Sequence, residues 1–236
     1  MNLAENFAAI RSRIAAACAR AGREVSSVQL VAVSKTHPAA TVTEAVQLGQ
    51  VLFGESKVQE AKAKIPECPS AARWHLIGHL QTNKAREAVQ WFDMIESVDS
   101  LHLAQELNRR ADAASKQLAV LLQVNVAGES TKFGYSPERF LEELPALAAL
   151  PRLEVQGLMT IAPYAENPER VRPVFRRLRE LKEQAEARLG YSLPHLSMGM
   201  SGDFEVAIEE GATLVRVGTA LFGARPRVGV AAAEGT

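Results

Sequence analysis

The chain has 236 residues, 47% of them hydrophobic, which is enough for one large core. Lysine plus arginine balances aspartate plus glutamate at 27 each with no like-charge block, which excludes a general nucleic-acid footprint. Two cysteines, Cys18 and Cys68, exclude a disulfide framework, and no apolar run reaches the length of a membrane span.

Leu3, Phe7, Ile10, Ile14 and Cys18 recur at helical spacing and predict an amphipathic first helix that stops at Gly22. Glu5, Arg11 and Arg13 lie within it, so no signal peptide is expected and the chain reads as cytoplasmic. Val28 to Ser34 reads as the opening strand, and Pro38 to Leu48 as a helix stopped by Gly49. Val51 to Gly54 is a short strand, Glu55 to Ile65 a helix, Arg73 to Gly78 a third strand and Asn83 to Trp91 a helix. Met94 to Val98 is a fourth strand, with Asp99-Ser100 capping a helix that runs to about Ser115. Leu118 to Asn125 is the clearest strand; a loop over Gly128 to Tyr135 leads to a helix with Pro137 at its first position. Val155 to Thr160 is the sixth strand. Asn167-Pro168-Glu169 opens a long helix ending near Gly190, in which Pro173 implies a kink or a later start. His195 to Met198 is the seventh strand, Asp203 to Glu210 a helix, Leu214 to Val217 the eighth strand, and Thr219 to Phe222 a short final helix.

Eight short apolar strands alternating with helices predict a parallel sheet closed into a (β/α)₈ TIM barrel, with one extra helix in front. Residues 1–225 form this single domain, and the Ala-, Gly- and Val-rich tail 226–236 is expected to fray. An open doubly wound sheet is the alternative, but no G-x-G-x-x-G follows the first strand.

In a barrel of this kind the chemistry sits at the C-terminal strand ends, and polar residues collect there. Lys35 closes the first strand and Glu55 follows the second. His79, Gln81 and Asn83 follow the third, Gln123 and Asn125 end the fifth, and Met159 and Thr160 end the sixth. Lys35 reads either as a strand-end lysine reaching water or as an amine nucleophile held at the barrel mouth. After strand seven, Met200-Ser201-Gly202-Asp203 places a hydroxyl and a glycine before a helix. After strand eight, Val217-Gly218-Thr219-Ala220 does the same. Two helix N-termini would then face one anion at the common phosphate position of this fold, with Gly218 allowing close approach. Ser201 and Thr219 read either as phosphate ligands or as simple N-caps. Arg216 sits inside an apolar strand and reads as inward-facing. A lysine on strand one with a phosphate cup at strands seven and eight suits a ligand carrying an aldehyde and a phosphate. Pyridoxal 5′-phosphate is one; a sugar phosphate handled by a Schiff-base aldolase is another. His75 and His79 span a strand end and a loop, so no shared metal site is expected.

The motifs Val31-Ala32-Val33-Ser34-Lys35-Thr36, Phe53-Gly54-Glu55, Trp74-His75-Leu76-Ile77-Gly78, Gln123-Val124-Asn125, Gly157-Leu158-Met159-Thr160, Leu196-Ser197-Met198-Gly199-Met200-Ser201 and Val215-Arg216-Val217-Gly218-Thr219 occur in this order. Together they resemble the pyridoxal phosphate homeostasis protein family, which is related to the barrel domain of alanine racemases. The resemblance implies that Lys35 holds pyridoxal phosphate covalently as a Schiff base, that Ser201, Gly218 and Thr219 hold the phosphate, and that Arg216 faces the pyridine nitrogen. Asn125, Met159 and Gly202 complete the expected cofactor contacts. Ser56-Lys57 stands where the family usually has Asn-Tyr, which bears on any contact an amide there would make; His79 is given no role.

The related racemases use a tyrosine from a second domain opposite the lysine. Of Tyr135, Tyr164 and Tyr191 only Tyr164, after strand six, could stand in for it. The expectation is therefore a non-catalytic carrier serving pyridoxal phosphate and amino-acid homeostasis, with an amino-acid racemase as the alternative. It is expected to be a monomer that meets apo-enzymes transiently, with no membrane or nucleic-acid partner.

Overall fold

The computed structural model describes residues 2–129 and 131–223. The expected tail 226–236 lies outside the described residues, as do Met1, residue 130 and residues 224–225 of the expected domain.

Helix α1 (Leu3–Arg20) buries Phe7, Ile10, Ile14, Ala17 and Cys18 along one stripe, and the Asn2 side chain accepts from the Ala4 amide at its start. The strands are β1 (Gln29–Val33), β2 (Leu52–Glu55), β3 (Arg73–Leu76), β4 (Met94–Val98), β5 (Leu118–Gln123), β6 (Leu153–Met159), β7 (His195–Ser197) and β8 (Leu214–Val217). They pair in parallel in sequence order and close into a barrel, β8 returning to β1 with Ala32 opposite Val217. The helices between them are α2 (Ala39–Gln47), α3 (Val58–Lys64), α4 (Ala85–Trp91), α5 (Leu101–Ala113), α6 (Pro137–Ala148), α7 (Arg172–Leu189) and α8 (Phe204–Glu209), with α9 (Thr219–Phe222) after β8.

Away from their N-terminal ends, where Gln29, Arg73 and Glu154 are exposed, the strands are covered on both faces, as the parallel topology requires. Ala32, Phe53, Leu76, Ile95, Val120, Leu158, Leu196 and Val215 pack outward under the helices in the main core. Val31, Leu52, Met94, Leu121, Met159 and Leu214 form a separate cluster, the filled lumen. The lumen is narrow at β2: a Cβ on Gly54 would meet Val31 Cγ1 at 3.0 Å and Ile77 Cδ1 at 3.2 Å.

Several boundaries move from the sequence expectation. The first strand stops at Val33, so Lys35 lies in the turn beyond it. Glu55 completes β2 instead of opening a helix: its backbone pairs with Leu76 of β3, and Lys64 takes up its buried carboxylate. Residues Thr82–Lys84 form a 3-10 turn before α4. Pro173 marks a later start: Pro168–Val171 is a 3-10 turn, and α7 begins at Arg172, with the proline where a missing N–H costs nothing. Ser100, not Asp99, caps α5, accepting from Leu103 N at 3.2 Å. Among the described residues no helix is long and apolar enough to cross a membrane, and no group of three or more His, Cys, Asp or Glu could hold a metal ion.

Candidate functional site

Lys35 occupies a tight turn at the C-terminal mouth of the barrel and is half-buried. The Ser34 amide still donates to Gly54 O at 3.2 Å, and His37 N closes the turn on Ser34 O at 3.0 Å. Thr36 has φ +68°, a left-handed conformation that a β-branched residue rarely adopts.

The loops after β7 and β8 stand next to this turn. Gly218 follows β8 and packs on β1: a Cβ there would meet Val33 Cβ and Val33 O, each at 3.3 Å. Phe222 of α9 stacks near His37, ring centroids 5.2 Å apart, so the lysine turn and α9 touch. The β7 loop is held alongside, with Gly199 O accepting from Arg216 N at 3.0 Å and Met200 N donating to Asp203 Oδ1 at 2.6 Å. Burial pushes the Asp203 carboxyl above the usual carboxylate range, against the Met200 amide and Arg216. Gly202 faces open space. The capping alternative for the two hydroxyls does not describe them: α8 is led by Asp203 and α9 by Gly218, neither with a side-chain cap bond. Lys35, Ser201, Gly202, Gly218 and Thr219 therefore gather on the arc of strands seven, eight and one.

Arg216 points into the lumen below that arc and is 4% exposed. Its Nη2 donates to Thr160 O at 2.7 Å and its Nη1 to the Ser197 hydroxyl. Ser197 donates in turn to Glu96 Oε2, and Glu96 Oε1 lies 2.6 Å from His75 Nδ1. Glu96 Oε2 is 3.9 Å from the guanidinium, so the buried cation has a buried counter-charge through one serine. Burial pushes the Glu96 carboxyl up, but the hydrogen bonds and charges of His75, Arg216 and Ser197 outweigh it and hold it below the usual range. Burial lowers Arg216 from the ordinary arginine value, opposed by Glu96 and Asp203.

The remaining two expected residues lie on the far arc. Met159 is fully buried in the lumen cluster, level with Gln123 and Ser197 in the strand register. Asn125 lies beyond β5, its amide donating to Glu129 O at 2.8 Å, so it also folds its own loop. Both flank Thr160, which ties Arg216 to this side; Asn125 and Thr160 line a cavity of about 100 Å³ with Gln123, Ile77 and Phe133.

Sequence reading missed Glu96, Lys64 and His75 as parts of the site. One signal was available for Glu96: a carboxylate inside Met94-Ile95-Glu96-Ser97-Val98 has no solvent face to occupy in a parallel barrel, so it must be paired. Lys64 carried no local signal on its amphipathic helix.

The donor set fits a ligand with a carbonyl and a phosphate. A lysine occupies the turn at one edge of the mouth, Gly218 leaves room where a side chain would press on Val33, two hydroxyls cap no helix, and a buried cation lies beneath.

The family model for the alanine racemase N-terminal domain matches residues 6–226. The pyridoxal phosphate homeostasis protein of Aquifex aeolicus is 46% identical over 226 residues, covering 95% of this chain and 99% of its own length. That of Pseudomonas aeruginosa is 48% identical, covering 94% and 96%. The solved structure of PipY of Synechococcus elongatus with pyridoxal phosphate bound superposes with a TM-score of 0.83 at 41% identity, over 94% of this chain and all of that one. An alanine racemase of Clostridium difficile shares the fold at 16% identity, TM-score 0.72, with 57% of that chain covered. With a barrel closed in the expected order and this likeness along nearly its whole length, the chain belongs to the alanine racemase N-terminal domain family and, within it, to the pyridoxal phosphate homeostasis proteins.

Proposed function

We propose that this protein holds pyridoxal phosphate covalently at Lys35 and serves as a non-catalytic carrier in cofactor and amino-acid homeostasis. The observation that carries the reading is Arg216, a cation buried in the lumen beside the phosphate cup. Bound pyridoxal phosphate supplies an aldehyde that condenses with amines and a ring that can take up electrons. Lys35 supplies the amine; Ser201, Gly202, Gly218 and Thr219 take the phosphate; Asn125 and Met159 bound the far side. Arg216 meets the ring nitrogen and disfavours its protonation, which weakens the ring as an electron sink. Glu96 keeps that guanidinium in place without itself reaching the ligand.

The tyrosines support the same reading. Tyr164 is 92% exposed, Tyr191 is exposed beyond α7, and Tyr135 is buried with its hydroxyl beside Glu143 and Arg139 of α6. None of the three provides a second proton carrier opposite Lys35.

The test is spectroscopic first. Purified protein mixed with pyridoxal phosphate is expected to develop a visible band that Lys35→Ala does not form. The loaded protein is then incubated with L-alanine in deuterated water, and no α-proton exchange above that of free cofactor is expected. It is also expected to activate an apo-enzyme. Exchange that disappears in Lys35→Ala would establish the racemase alternative; a band unchanged in Lys35→Ala would remove the lysine from its role.

A further inference from the structure

The turn that carries Lys35 is clamped on both sides by helix α3. Lys64, 8% exposed, spends its three ammonium protons on Ser34 O at 2.9 Å, Glu55 Oε1 at 2.7 Å and Glu60 Oε1 at 2.9 Å. Glu55 Oε1 also accepts from the Ser34 hydroxyl at 2.7 Å. Glu60 Oε1 accepts from the Thr36 amide as well. The residue before Lys35 is thus held by Lys64 and Glu55, and the residue after it by Glu60. Lys64 and Glu60 are four apart on α3, which places both on one helix face beneath the turn.

This clamp answers a question the backbone raises. Thr36 at φ +68° is costly for a β-branched residue, and such conformations persist only where the surroundings over-determine them. A relaxed Thr36 would rotate the peptide that follows Lys35 and carry the amine away from the mouth. A full set of charged hydrogen bonds on the two flanking residues prevents that, and the Lys64–Glu55 pair is too buried for salt to screen.

We infer that Lys64 and Glu60 are positioning residues for Lys35, holding its strained turn so that the amine meets an incoming aldehyde without first reordering the chain. This rests on the reading of Lys35 as the covalent anchor. Neither residue touches the ligand; both act through the backbone on either side of the lysine.

The experiment compares wild type, Lys35→Ala, Glu60→Ala, Glu60→Gln and Lys64→Met. Two readouts are followed: the stopped-flow rise of the visible band with pyridoxal phosphate, and amide hydrogen exchange of residues 34–37 in the unloaded protein. Glu60→Ala is expected to slow band formation about tenfold or more, the scale on which small misplacements of a reacting group act. Exchange at Thr36 is expected to quicken in the same variant, while thermal unfolding stays cooperative. Glu60→Gln keeps an acceptor for the Thr36 amide and is expected to recover much of the rate; a merely structural loss would not be rescued this way. Glu60 is only half-buried, so its variants keep the inference testable even if Lys64→Met does not fold. Wild-type capture speed in Glu60→Ala, with Thr36 exchange raised, would overturn the inference. A wild-type protein with no Lys35-dependent band would instead overturn the anchor reading itself.

Discussion

Arg216 and Glu96 are separated by one serine hydroxyl and are both sealed from water. An isolated charge of either sign there would be prohibitively costly, so each residue makes the other tolerable. Glu96→Gln keeps the shape and much of the hydrogen bonding to His75 and Ser197 but takes from the guanidinium its larger counter-charge. Breaking a buried pair in this way is expected to lower stability by about 3–5 kcal/mol, read by urea denaturation. The pH dependence has a definite sign. The folded protein holds Glu96 below its unfolded value, so its contribution is complete above the unfolded carboxylate range and is lost as pH falls through the folded value. Urea midpoints of wild type should therefore fall more steeply than those of Glu96→Gln as the pH drops below the ordinary glutamate range. An equal slope in the two proteins would place the acid sensitivity elsewhere. Arg216 was legible in the sequence as an arginine among valines, and Glu96 as a carboxylate that a buried strand must pair, but not that the two meet. Pairing across the lumen depends on which strands face each other, and that is set by barrel closure rather than by any local pattern.

Among the elements, the alternation of short apolar strands with helices was legible because each unit is local in sequence. Strand ends were not, since a strand in a barrel stops where its neighbours and the loops beneath it dictate. Glu55 looks like the first acid of a helix but is the last residue of β2, and Val33 ends β1 two residues before Lys35. The glycines at these ends separate scaffold from site. A Cβ on Gly78 would lie 2.2 Å from the Ser56 carbonyl oxygen, a backbone atom that cannot swing aside. At Gly218 the nearest atoms, Val33 Cβ and O, are at 3.3 Å, tight but accommodated by a small shift. Gly78→Ala is therefore expected to cost about 3 kcal/mol, and Gly218→Ala only about 1 kcal/mol, in chemical denaturation. Binding should rank the other way among folded proteins. Gly218→Ala narrows the approach between β8 and β1 and should weaken pyridoxal phosphate at least several-fold in equilibrium titration. Undiminished affinity in Gly218→Ala would move the phosphate away from this loop.

At the scale of the whole molecule the front helix is the brace of the mouth. The barrel closes without it, yet α1 is tied to both short helices that follow the cup. Toward α8, Arg13 pairs with Glu205 at 3.0 Å and lies over the Phe204 ring, and Arg20 pairs with Glu209 at 2.7 Å. Just beyond α1, Arg23 Nη1 donates to Ile208 O at 2.7 Å and Ala212 O at 2.8 Å. Toward α9, Asn6 donates to Leu221 O at 2.7 Å, and Phe7 meets Phe222 edge-on with centroids 6.1 Å apart. Phe222 in turn stacks near His37, so one file of rings runs from α1 through α9 to the turn of Lys35. The exposed ion pairs contribute little each, whereas the ring file is buried at Phe7, which is 1% exposed. Phe7→Ala removes the first ring and leaves a cavity beneath α9, at a cost of about 3–5 kcal/mol in urea denaturation. Helix α9 has only four residues and cannot hold its own position, so the loss should pass to the cup. At a temperature where Phe7→Ala is fully folded, its affinity for pyridoxal phosphate should fall, and its Thr36 amide should stay protected because the clamp from α3 is untouched. An affinity equal to wild type would mean that Gly218 and Thr219 are held by β8 alone, and that α1 stabilises the barrel without shaping its mouth.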